Sequence, residues 1–114
     1  MKRLIGGALA AAVIASSLAC ARPLALKALR AGVEAAQADD WETAVRHWTE
    51  TVKAEPRSAP AHNNLAIAYE RRGDWEAARR KYEEALRLDP DNLKIKTNYA
   101  AFKIRLESAR GKGP

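Results

Sequence analysis

One cysteine in 114 residues excludes an intrachain disulfide and, by count, a CxxC pair or a zinc site built from Cys and His. With no such staple, fold stability must come from packing alone. Only 6 Gly and 5 Pro occur, and most fall at segment edges while Ala is abundant, the distribution an all-α chain requires. No apolar run reaches the ~20 residues of a membrane span; the longest, Leu4 to Ala15, is interrupted by Gly6-Gly7 and ends at Ser16-Ser17.

Signs of chemistry are equally sparse. There is no H-E-x-x-H, no G-x-x-x-x-G-K-S/T and no G-x-G-x-x-G. His47 and His62 lie in different helices with no helical-spacing relation to each other, and no nucleophile is read as paired with an oriented base. The paired carboxylates Asp39-Asp40 and Glu83-Glu84 are adjacent residues, which do not face one another on a helix. The sequence therefore predicts no catalytic residue, no metal site and no cofactor, and leaves binding as the class of function.

Residues 1–22 have the layout of an export leader. Lys2 and Arg3 form a charged start, Leu4 to Ala15 an apolar centre, and Ser16 to Ala21 a stretch of small residues. Two cleavage sites compete within it. Ser17-Leu18-Ala19-Cys20 resembles the bacterial lipobox, in which the leader is cut before a cysteine that then carries lipid, although Ser17 stands where Leu is preferred. Ala19-Cys20-Ala21 also fits ordinary cleavage after Ala21. Lipidation at Cys20, with more than one acyl chain at about 0.8 kcal/mol per CH₂, would anchor the chain stably to a membrane. The resemblance implies an outer-membrane lipoprotein facing the periplasm; simple cleavage implies a soluble periplasmic or secreted protein.

Beyond the leader, a 34-residue echo dominates. In Ala59–Asn92, His62-x2-Leu65-Ala66-x2-Tyr69 is followed by Ala78-x3-Tyr82, then Ala85 and Pro90, in two helical blocks separated by Arg72-Gly73-Asp74. Thirty-four positions earlier stand Trp41 for Trp75, Asp40 for Asp74, Glu42 for Glu76, Ala44 for Ala78, Trp48 for Tyr82 and Pro56 for Pro90. This pattern resembles the tetratricopeptide repeat (TPR), a helix-turn-helix unit with the fingerprint Trp-x2-Leu-Gly-x2-Tyr, Ala-x3-Phe and a closing Pro. The expected fold is all-α: two antiparallel helix pairs, residues 25–58 and 59–92, then a capping helix over 93–110 and a disordered tail over 111–114, in an α-solenoid.

The boundaries follow from local chemistry. Arg22-Pro23 reads as a linker, with the first helix from Leu24 or Ala25 to Ala38. Gly32 and Ala66 are the small residues at which antiparallel helices can approach closely. Asp39 takes the place of Gly73 at a turn where left-handed backbone is expected, which Asp tolerates better than most residues. Asp40 and Asp74 should cap the following helices, with Glu42 and Glu76 favourable in the first turn. Trp41, Ala44, Val45, Trp48 and Val52 form a core stripe at spacings of 3 and 4. Pro56 and Pro90 stop their helices. In the last helix Ile95, Tyr99, Phe102 and Leu106 form one apolar stripe, while Lys96, Ala100 and Lys103 hold the slots that would receive a further helix, so the stack ends there.

The resemblance further implies that the first helix of each pair lines a concave groove receiving an extended peptide or partner helix. By register the groove presents Leu26, Leu29, Val33 and Ala36, then Asn63, Ile67, Glu70 and Arg71, then Lys94, Thr97, Ala101, Ile104 and Arg105. It runs from apolar to basic and suits a peptide with an apolar part and an acidic end. Family members that clamp the C-terminal carboxylates of chaperones carry Lys and Asn in their first repeat, where Leu29 and Val33 stand here; Asn64 and Asn98 do not restore the clamp.

Formal net charge is +6, concentrated at the C-terminus, where Lys94, Lys96, Lys103, Arg105, Arg110 and Lys112 face the single acid Glu107. A solvated helix face accounts for this; the alternative is a secreted basic module binding anionic lipid or polyanion through the last helix. Two repeats and a cap fall below the roughly three units that stabilise a repeat array alone. The groove, or the edge of the Ala-rich first helix, is therefore expected to be covered by a protein partner or by a second copy. The function expected is that of a non-catalytic envelope adaptor assisting assembly of a complex, with no nucleic acid involved.

Overall fold

Five helices follow one another in the computed structural model: α1 (Gly6–Gln37), α2 (Trp41–Ala54), α3 (Ala59–Arg71), α4 (Trp75–Leu88) and α5 (Leu93–Gly111). It describes residues 6–111, with side chains from residue 21 onward, and no strand occurs among them. α1 packs along α2 and α3 along α4, α2 and α3 join the two hairpins, and α5 rests on α4. This is the helical-hairpin solenoid expected from the 34-residue echo.

The two hairpins close in the same way because the two turns share one hydrogen-bond pattern. After α1 the Asp39 N–H donates to the Ala36 carbonyl (3.0 Å) and the Asp40 N–H to that of Ala35 (2.9 Å). After α3 the Gly73 N–H donates to Glu70 and the Asp74 N–H to Tyr69, each at 2.9 Å. Such a closure needs left-handed backbone at the first residue past the cap, and Asp39 and Gly73 adopt φ of 61° and 76°.

Starts and stops are mostly local. The Asp40 carboxylate accepts from the Thr43 N–H (3.1 Å), Ser58 from Ala61 (3.3 Å) and Asn92 from Ile95 (3.1 Å). Asp74 departs from expectation, for its side chain makes no capping bond. α2 and α4 end two residues before Pro56 and Pro90.

The expected linker at Arg22-Pro23 is not a linker: α1 is continuous through Pro23. A proline inside a helix removes one i→i−4 hydrogen bond and clashes with the carbonyl four residues back. The Ala- and Leu-rich residues on both sides have the highest helix propensities, and they carry the helix through.

Two core layers and a smaller cluster of Ala59, Ala85 and Ile95 fill the stack. Ala44, Trp48, Leu65 and Ala68 are buried between the hairpins, with Leu29, Trp41 and Val52 against them. Ala66, Ala78, Tyr82, Phe102 and Leu106 bury the second hairpin against α5. Gly32 lies directly on the Trp48 indole, whose Nε1–H donates to the Leu29 carbonyl (3.2 Å). His62, in the fingerprint Trp slot, is also buried; its Nε2 lies 2.9 Å from the Pro56 carbonyl, which only accepts, so that nitrogen carries the proton.

A candidate peptide groove across alpha1, alpha3 and alpha5

Helices α1, α3 and α5 are the first members of successive hairpin positions, so their exposed edges line up along one side of the stack. Two open clefts lie there and share Ile67. The first is walled by Val33, Ala36 and Gln37 of α1, Trp41 and Trp48 of α2, Asn64 and Ile67 of α3, and Lys94 of α5. The second, about 420 Å³, is walled by Ile67, Glu70 and Arg71 of α3, Tyr82 of α4, and Asn98 and Arg105 of α5. Both are troughs open along their length, suited to a chain laid across them.

Electrostatics differ between the two ends. At the α1 end the Arg71 guanidinium stacks on the Trp41 ring, 4.1 Å from its centroid, and the indole is held by its Nε1–H donating to Asp39 Oδ1 (2.7 Å). No ion pair among the described residues involves Arg71 or Lys94. That end therefore presents Lys94 beside the apolar Val33, Ala36 and Ile67, with Arg71, a wall of the second cleft, reaching back over Trp41. At the other end Arg105 makes a two-pronged contact to Glu70, its Nη2–H reaching Oε1 at 3.0 Å and its Nε–H reaching Oε2. The Tyr82 hydroxyl donates to the same carboxylate (3.2 Å), and burial first, then the Glu70 charge, raises the phenol well above the usual tyrosine value. Glu70 itself is 12% exposed.

The structure sorts the residues expected on the groove. Val33, Ala36, Ile67, Glu70, Arg71, Lys94 and Arg105 come together in the two clefts. Leu29 does not line them: it packs into the layer around Trp48, because that face of α1 is the one α2 covers. Asn63 is buried as well, accepting from Asn98 Nδ2 (3.2 Å) and so tying α3 to α5. Leu26 sits in a separate depression along α1 with Pro23, Lys27, Arg30, Ala31 and Glu34. Thr97 is exposed and lines neither cleft. Ile104, 70% exposed, lies in a shallow dip with Ala100, Lys103, Glu107 and Ser108, none of which lines the two troughs.

Gln37, Trp41, Trp48 and Tyr82 were not expected as groove walls. The aromatic stripe reads as core, and Trp48 and Tyr82 are core; each also shows an edge to the groove. No spacing rule separates those two roles.

The basic tail is less free than its composition suggests. Lys96 lies 3.9 Å from Asp91, Arg110 pairs with Glu76 and Glu107, and Lys103 sits 4.8 Å over the Tyr99 ring. Arg105 is held by Glu70 and Lys94 stands at the groove, while Lys112 lies outside the described residues. Among the described residues no cluster of His, Cys, Asp and Glu could hold a metal, and no helix is long and apolar enough to cross a membrane. Cys20 and the leader before it lie outside the residues whose side chains are described.

Residues 59–92 match the tetratricopeptide repeat model. Among solved structures, the chain is similar to the TPR2B domain of yeast Sti1 in complex with pHsp70, at 25% identity and a TM-score of 0.69, covering 76% of this chain and 70% of that one. It is also similar to the C-terminal TPR-containing domain of an FK506-binding protein of Plasmodium falciparum, at 22% identity and a TM-score of 0.68, covering 97% and 69%. No curated protein matches. The architecture is thus that of a TPR-type hairpin stack, the class of fold whose common use is to hold another protein.

Proposed function

We propose that the chain is an adaptor of the bacterial cell envelope, exported by its leader and anchored through Cys20 or released after Ala21, which binds an apolar peptide or helix with an acidic end and catalyses nothing. The observation that carries this reading is the pair of clefts sharing Ile67, where Val33, Ala36 and Ile67 offer apolar contact while Lys94 of the first cleft and Arg71 of the second are cations without acidic partners among the described residues. Charge complementarity selects an acidic partner. The solved likeness in complex with pHsp70 supports a protein ligand for a groove of this kind. Cleavage at either leader site also suits the fold, since it would leave Pro23 in the first turn of the mature helix, where its missing N–H costs nothing.

Two measurements test the reading. The mass of the mature N-terminus, taken from membranes, should show an acylated Cys20 or a start at Arg22; an intact leader would overturn the envelope assignment. Crosslinked capture from envelope extracts should drop roughly tenfold when Val33→Glu and Lys94→Glu are combined, a loss of about 1.4 kcal/mol. Unchanged capture with an unchanged melting curve would remove the groove from consideration. Leu29 is unsuitable for this purpose, because a charge there disrupts the layer around Trp48.

A further inference from the structure

Glu70 is the one carboxylate in the groove, and its position is unusual for an acid meant to meet a ligand. It is 12% exposed, takes a hydrogen bond from the buried Tyr82 hydroxyl, and takes both prongs of Arg105 reaching over from α5. Arg105 is half exposed, with its outer edge toward the cleft that Ile67, Arg71 and Asn98 complete. A carboxylate on Arg105 in two-pronged geometry is the arrangement an acidic ligand would itself adopt.

We infer that Glu70 is a built-in stand-in for an acidic ligand group: by occupying Arg105 it closes that end of the groove to anions and confines the acidic end of a bound partner to Arg71 and Lys94. This rests on the adaptor reading for its partner, and adds to it a direction of binding and the residue that sets it. The groove has three cations along its length, Lys94, Arg71 and Arg105. Without Glu70 all three would attract acids and a partner could lie either way round. With it, Arg105 is answered while Arg71, in the same cleft but lying over Trp41, and Lys94 stay positive toward α1, so the two orientations of an asymmetric partner differ in energy.

The competing account is that the pair merely ties α5 to α3, as the Asn98–Asn63 bond does. Three forms of the full chain separate the two accounts: wild type, Glu70→Gln, and Glu70→Gln combined with Arg105→Gln. Glutamine keeps the size of each side chain and an acceptor for Tyr82. Melting in inorganic phosphate against chloride at equal ionic strength needs no peptide. Phosphate should stabilise Glu70→Gln by more than it does wild type or the double variant; an equal response in all three overturns the inference.

Fluorescence anisotropy with a labelled peptide of alternating Leu and Asp gives the second reading. Glu70→Gln should bind about tenfold more tightly than wild type, and Arg105→Gln on top should abolish the gain. Equal or weaker binding in Glu70→Gln with a lowered melting point assigns the pair to tying helices only and also overturns the inference. The adaptor reading fails separately, if binding of this peptide in wild type ignores Val33→Glu and Lys94→Glu while the phosphate response of Glu70→Gln persists.

Discussion

Trp48 and Gly32 set the spacing of the first hairpin. A Cβ on Gly32 would stand 2.3 Å from the indole Nε1 and 2.5 Å from its Cδ1, distances at which something must move. Gly→Ala inside a helix ordinarily stabilises by about 0.5–1 kcal/mol. Here the clash outweighs that gain, because the ring is 3% exposed and its N–H is already committed to the Leu29 carbonyl. Gly32→Ala should therefore destabilise by about 1–3 kcal/mol, read as a lower melting temperature with quenched or shifted tryptophan emission. Tyr82 makes the second prediction at this scale. Its phenol is raised from the usual value near 10 by burial and by Glu70, so the folded state holds the proton more tightly than the unfolded one. Stability from this group is complete below pH ~10 and is lost as pH climbs from there through the higher folded value. Denaturation followed at rising alkaline pH should show that decline, and Tyr82→Phe should reduce it, Tyr99, raised by burial and by Glu83, contributing the remainder.

Among the elements, α5 closes the stack. Phe102 and Leu106 complete the layer of Ala66, Ala78 and Tyr82, and Ile95 covers Ala59 and Ala85. Phe102 stacks among Trp75, Tyr82 and Tyr99, with ring centroids 5.2–6.1 Å apart. A chain ending at Asn92 would expose Tyr82 and leave Glu70 without Arg105. Loss of a large aromatic from a core costs about 3–5 kcal/mol, and a small domain has 5–15 kcal/mol in all. That truncation should leave a second hairpin without a cooperative melt, visible as a broad loss of helical circular dichroism. The stripe of α5 was legible, since its period is local. The continuity of α1 through Pro23 was not, because the penalty of one proline competes with the propensity of a whole segment and residue type alone does not weigh them.

At the scale of the molecule, the paired halves of the groove come from residues as far apart in sequence as Val33 and Lys94. Seven of the residues expected to line it do meet there, because groove positions recur every 34 residues once the hairpin register is known. Two of those that miss have a shared cause: a helical position one step around the axis trades surface for core, which sends Leu29 under Trp48 and Asn63 under Asn98, whereas Leu26, Thr97 and Ile104 stay exposed outside the two clefts. Ion pairing escaped sequence reading altogether. The tail's cations look alike in composition, yet Glu70, Asp91 and Glu76 each claim one, and for Arg105 and Arg110 only packing brings those partners near.

By itself the order of residues determined two turns with left-handed backbone, the helix stops before Pro56 and Pro90, the paired aromatic stripes and a polar final helix, all consequences of interactions within a few residues. The folded stack alone decided which side chains share the groove, that Arg105 is answered by Glu70 while Arg71 and Lys94 are not, and that Gly32 carries the weight of Trp48. Those outcomes depend on distances between helices, and a distance between helices exists only once both have packed.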